Sequence, residues 1–142
     1  MARGDIPVSV KNGAQGNKIL YRTPFEAVPM TIDFTNVSAD SEGYYKVPAG
    51  TPVDDAGVPM SAYKVNTGTS ESPVYKYAYG ALLYDVYKDD PAGAVLKKAY
   101  IDCVKAKAST SLDYNAAFVA GALEANDKTG NRLVFENVVP TT

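Results

Sequence analysis

The sequence has no histidine and no tryptophan, a single cysteine, and no long apolar run. Without histidine there can be no Ser-His-Asp or Cys-His catalytic arrangement and no histidine-ligated metal. One cysteine, Cys103, excludes an internal disulfide and cannot by itself hold zinc or an iron–sulfur cluster. The apolar runs fall well short of the about 20 residues that a membrane-spanning helix needs, so no membrane is expected as a partner. The opening stretch MARGDIPVSV has one arginine and no apolar segment, and is not read as a secretory signal. Basic residues number 14 against 16 acidic ones, for a net charge of −2. That balance offers no basic stripe for a phosphate backbone, so nucleic acid is not an expected partner. GAQGNK has the wrong spacing for a phosphate-binding loop and lacks the strand–loop–helix setting. No cofactor, no metal and no enzymatic activity are expected.

What is present is a chain of 142 residues, the size of one domain, with eleven tyrosines, eleven glycines and nine prolines. That composition predicts a β-rich, turn-rich architecture. Residues 6–10, IPVSV, alternate, with Ile6, Val8 and Val10 on one face. Pro7 removes a donor from one edge, so the segment reads as a strand that pairs on its other edge only. A flexible turn, NGAQG, follows over 12–16. KILYR (18–22) predicts a short strand. In PFEAVPMTIDF (24–34), Pro29 predicts the start of a second strand with Met30, Ile32 and Phe34 on one face. Residues 44–65 are punctuated by Pro48, Gly50, Pro52, Gly57 and Pro59, a spacing that no helix survives. They predict short strands joined by turns, DDAG (54–57) among them.

VYKYAYGALLYDVY (74–87) places Tyr75, Tyr77 and Tyr79 on one face, and Gly80 predicts a bulge or a close backbone approach. KDDPAG (88–93) is a turn. The run 94–108 fits two patterns. Leu96, Ala99, Tyr100 and Cys103 suit a helix, whereas Val95, Ala99, Ile101 and Cys103 suit a strand. A helix is predicted over 110–126, capped by Ser111 or Asp113, with Phe118 and Leu123 on its apolar side. Gly130 suits a left-handed turn, and 132–139 predict a last strand stopped by Pro140.

Asp85, Asp89, Asp90 and Asp102 lack the ligand spacing of a calcium loop and read as a solvated acidic turn. The tyrosine stripe suits packing or a subunit interface better than a sugar platform, because tyrosine combines a large apolar body with a wet hydroxyl. Arg3-Gly4-Asp5 is too short a motif to carry a function. Cys103 reads as a small apolar core group.

VPAGTPVDDAG, followed by YGALLYDVYKDDPAGAVLKKAYID, resembles the head decoration proteins of tailed bacteriophages, the lambda-like capsid-stabilising family and related head-fibre base domains. The matching pieces are Ala49 to Pro52, Gly80 to Val86, Asp89 to Gly93 and Gly93 to Leu96. The resemblance covers about residues 44 to 108 well and the ends loosely. It implies a mainly β fold with one short C-terminal helix: a compact β-clip-like domain over 17–142, preceded by an extended N-terminal arm over 1–16. It favours strand for the first half of 94–108. It also implies a virion protein made in the bacterial host cytoplasm and bound to the capsid exterior. The expected partners are the major capsid protein and further copies of the chain itself, as a trimer. Ile6, Pro7, Val8, Ser9 and Val10 are the expected capsid contacts, and Tyr75, Tyr77 and Tyr79 the expected subunit interface. A carbohydrate-binding or host-adhesion module is the competing reading.

Overall fold

The computed structural model describes residues 18–140. The predicted strand over 6–10, and with it the proposed arm, lies outside the described residues. The described chain is mostly β with two short helices. In order its elements are β1 (Leu20–Thr31), β2 (Lys46–Val47), β3 (Pro52–Val53), β4 (Lys64–Asn66), β5 (Tyr75–Tyr77), β6 (Gly80–Leu82), β7 (Val86–Tyr87), β8 (Ala92–Asp102), α1 (Cys103–Thr110), α2 (Ala116–Thr129) and β9 (Arg132–Glu136). No helix among the described residues is long and apolar enough to cross a membrane.

β8 organises the main sheet. One of its edges pairs antiparallel with β1, from Leu20↔Ile101 to Thr31↔Ala92. Its other edge is shared: β6 pairs antiparallel near Val95 and Leu96, and β9 pairs parallel along Lys98–Asp102. β3 extends the sheet beyond β6, and two small ladders, β2–β7 and β4–β5, stand apart from it. Val95, Leu96, Ala99 and Ile101 of β8 are all buried, as expected for a strand enclosed by neighbours.

The dual pattern of 94–108 resolves at Asp102. The chain is strand up to that residue and helix after it. The Asp102 carboxylate accepts the backbone N–H of Val104 at 3.0 Å and of Lys105 at 3.3 Å, satisfying two donors that the first helical turn would leave unpaired. Such a cap contributes about 1 kcal/mol. The strand pattern therefore holds through Ile101, whereas Leu96, Ala99 and Tyr100 of the helical pattern lie in β8 and the helix begins only at Cys103.

Two expectations about the C-terminal part need correction. There are two helices, not one, and neither Ser111 nor Asp113 starts the second. Ser111 ends α1 in the left-handed conformation (φ 66°), and Asn115 caps α2 by accepting the Phe118 N–H at 3.0 Å. Helix α2 buries Val119, Ala122 and Ala125, small residues that admit close neighbours, while Leu123 faces outward. Gly130 does adopt the left-handed conformation (φ 79°) and closes α2.

Pro29 does not divide the first strand either. β1 runs unbroken from Leu20 to Thr31, with shifts of register between Leu20 and Ala27. A proline is tolerated there because β1 lies at the edge of the sheet. Ile32 and Phe34 are buried together in a cluster with Val47, Val53, Leu82, Val86 and Val95, and Met30 packs against it, as their alternation predicted. Gly80 also behaves as predicted: a Cβ at that position would collide with the Leu96 carbonyl and the Val95 side chain, so the absence of a side chain lets β6 approach β8.

A second, larger cluster lies under the helices. It is centred on Tyr63 and Tyr114, both fully buried, with Phe118 and Phe135 packed against them. The Tyr63 ring meets Phe118 and Phe135 edge-on, with centroids 5.5 Å away in each case.

Candidate functional site

Three of the four pieces of sequence that carry the family resemblance converge on one buried junction. The Gly50 N–H donates to the Leu82 carbonyl at 2.8 Å, and the Leu82 N–H donates to the Thr51 carbonyl at 3.1 Å. Leu83 N–H reaches the Ala94 carbonyl at 2.9 Å, which brings in the third piece. Gly50 itself has φ 91°, and its open face lies against Ile19, Thr110 and Ala106. The Tyr114 hydroxyl donates to the Gly50 carbonyl and Ser109 Oγ donates to the Ala49 carbonyl, so α1 and the segment between the two helices anchor the same loop.

Asp85 sits in this junction, and the reading of it as part of a solvated turn is corrected. Its carboxylate is almost fully buried, accepts the Ala49 N–H at 2.8 Å and pairs with Lys18 Nζ at 2.8 Å; Lys46 Nζ lies 3.9 Å away. Asp102 is likewise buried, as the cap of α1. Only Asp89 and Asp90 remain on the surface. The four residues thus do three separate jobs, and no group of three or more metal-capable side chains forms among the described residues. Asp54 is a further buried carboxylate, paired with Lys76 at 2.7 Å. Burial alone would raise its pKa, but bonds from Lys76, Val58 and Ala56 outweigh burial and hold it below the usual value.

The three tyrosines of the predicted stripe have different surroundings. Tyr75 is 46% exposed, with Lys64 Nζ 4.2 Å from its ring centroid. Tyr77 is half-buried, and its hydroxyl donates to Glu124 on α2 at 2.6 Å. Glu124 also accepts from Lys64 at 2.9 Å, and these two bonds hold its pKa below the ordinary value. Tyr75 and Tyr77 therefore gather around one Lys64–Glu124 pair. Tyr79 lies apart from that pair: its ring is under Lys97, whose Nζ is 3.5 Å from the centroid, and it packs against the aliphatic cluster. Burial lowers the pKa of Lys97.

Cys103 is fully buried, and burial pushes its thiol up to about 11, with Asp102 adding to the shift. A protonated thiol without solvent access is a packing group.

One open surface was not legible in the sequence. It is the outer edge of β1, which has β8 on one side and no strand on the other among the described residues. Six successive residues, Tyr21 to Glu26, are exposed, including the aromatic rings of Tyr21 and Phe25. Arg22 covers Tyr100 of the neighbouring strand at 4.2 Å. Pro24 and Pro29 remove two N–H donors from the strand, a common way of blunting an edge against uncontrolled pairing. The available signal was the apolar pair Tyr21 and Phe25 flanking a proline, but the neighbouring apolar residues pointed equally well to a core.

No protein-family model, no curated protein and no solved structure matches the chain.

Proposed function

We propose that this chain is a head decoration protein: a non-enzymatic virion component of the β-clip type that binds the outside of an expanded phage capsid and stabilises it. The observation that carries the reading is the junction of Ala49–Thr51 with Leu82, Leu83 and Ala94. Three of the four pieces that resemble the decoration family meet there through backbone hydrogen bonds, while Asp89 and Asp90 of the fourth lie on the surface. The open edge of β1 adds support, because β1 is the first strand of the described residues and follows residues 1–17 in sequence. A protein that binds only the expanded shell stabilises that shell by mass action. Contacts with several capsid subunits at once add avidity.

In this reading Ile6, Pro7, Val8, Ser9 and Val10 add as a strand to the major capsid protein, combining backbone hydrogen bonds with apolar burial. Copies of the chain assemble as a trimer, with exposed Tyr75 the member of the stripe best placed to meet a neighbour. The test is deletion of residues 2–11. The truncated protein is expected to keep its circular dichroism spectrum and melting temperature but to stop cosedimenting with expanded capsids of the phage that encodes it. Capsid binding as tight as that of the full chain would overturn the role of the arm. Failure of the full chain to bind capsids would overturn the function.

A further inference from the structure

A cleft of about 610 Å³ lies between the loop 40–45 and the β2–β7 ladder. That volume is within the range of small-ligand sites, about 300–1,000 Å³. Its walls are tied together by backbone bonds. The Asp40 N–H donates to the Tyr44 carbonyl at 2.8 Å, the Asp40 carboxylate accepts from Glu42 and Tyr44 N–H at 2.9 Å each, and the Lys88 N–H donates to the Tyr45 carbonyl at 3.1 Å. A site held in this way loses little freedom when it is occupied.

Three tyrosines, Tyr44, Tyr45 and Tyr87, line the cleft. Tyr44 is 59% exposed, while Tyr45 is 40% exposed and carries Lys88 Nζ 4.5 Å from its centroid. The charged groups divide sharply. Both lysines are engaged, Lys88 over Tyr45 and Lys46 beside Asp85. Two carboxylates, Glu42 and Asp89, make no side-chain hydrogen bond or ion pair among the described residues. Among the described residues, the cleft therefore presents an exposed aromatic face and unengaged acceptors, with no unengaged cation.

We infer that this cleft binds a neutral oligosaccharide. A sugar ring offers an apolar C–H face to stack on Tyr44 and hydroxyl donors for Glu42 and Asp89; an ionised carboxylate can only accept. Tyrosine suits such a role because it gives a large rigid contact at low conformational cost. An anionic ligand would face carboxylates in excess of lysines. An organic cation would compete with Lys88 for the face of Tyr45. The assignment is independent of any capsid role, since it uses no residue of the arm or of the β1 edge.

The test is an array of neutral oligosaccharides built from glucose, galactose, rhamnose and N-acetylglucosamine, together with sulfated glycans and choline. Saturation-transfer NMR is then applied to the best-retained compound. The full chain is expected to retain at least one neutral oligosaccharide, with saturation transferred from tyrosine rings. Tyr44→Ala and Asp89→Asn should each weaken that binding by roughly tenfold, about the effect of losing one stacking or charge-assisted contact, at an unchanged melting temperature. Tyr75→Ala, outside the cleft, should bind normally. Retention of no neutral compound, retention of sulfated glycans or choline alone, or binding indifferent to both cleft substitutions would overturn the inference.

Discussion

Tyr63 and Tyr114 are fully buried, whereas Tyr75 is 46% exposed and Tyr44 59%. The buried pair comes from irregular backbone: Tyr63 sits in the bend before β4, and Tyr114 lies between the two helices at φ 44°. The exposed pair comes from a regular strand and a surface loop. The buried rings are also joined in series. The hydroxyls lie 2.8 Å apart and Tyr114 passes its own proton donor to the Gly50 carbonyl. One side chain thus serves as a cross-link in one region and as an accessible surface in the other. In the buried region the hydroxyl, not only the ring, is fixed.

Removing the cross-link is the strongest way to break this contrast. Tyr114→Ala would lose the ring and open a cavity between Tyr63, Phe118 and Phe135. Urea denaturation should show a loss of about 3–5 kcal/mol. Tyr114→Phe keeps the ring but leaves the Gly50 carbonyl and the Tyr63 hydroxyl without their partner, and should cost about 1–3 kcal/mol. A Tyr114→Phe protein as stable as the parent would falsify the idea that the hydroxyl chain contributes.

Titration sharpens the same comparison at smaller amplitude. Burial raises the pKa of both Tyr63 and Tyr114. In the unfolded chain a tyrosine ionises near about 10. Since the folded values are higher, the stability that these phenols contribute is complete below about pH 10 and declines as pH rises beyond it. Denaturation midpoints measured between neutral pH and pH 11 should fall only in the upper part of that range. In an absorbance titration the last two phenols should ionise together with loss of the fold. A stability that stays flat to pH 11 would contradict the burial of the pair.

The smallest effect belongs to the surface. Tyr75→Ala removes a ring that touches mainly the Lys64 side chain, and thermal melting of the isolated protein should place it within about 0.5 kcal/mol of the parent. A larger loss would mean that the exposed stripe is structural after all, and the contrast with Tyr63 and Tyr114 would lose its basis.

The same contrast explains how much of the molecule could be read in advance. Alternation revealed Met30, Ile32 and Phe34 as one packed face, and glycine placement revealed the close approach at Gly80 and the left-handed turn at Gly130. These features depend on local geometry, which neighbours in sequence share. Tyr63 and Tyr114 had no periodic neighbours to mark them, so attention went to the regular row Tyr75, Tyr77 and Tyr79 instead. Asp85 looked like a surface acid because its partners, Lys18 and the Ala49 N–H, are remote in sequence. The break between α1 and α2 was hidden because Ser111, Asp113 and Asn115 are all competent caps, and only packing selects among them. The open edge of β1 was out of reach for a related reason: which strand ends a sheet is settled by topology, not by composition. The cleft of Tyr44, Tyr45 and Tyr87 unites the start of the turn-punctuated segment 44–65 with the end of the tyrosine-rich run 74–87.

The pairing of β1 with β8 also sets a timetable for biosynthesis. β1 leaves the ribosome before its partner strand, whose residues 92–101 come about sixty to eighty positions later in the chain. At roughly 5–20 residues per second, Tyr21 and Phe25 wait several seconds on the nascent chain before any partner strand exists. During that interval Pro24 and Pro29 act as gatekeepers, interrupting a segment that would otherwise pair with its counterpart on a neighbouring nascent chain. The prolines that blunt the edge of the finished sheet thus guard the unfinished one as well.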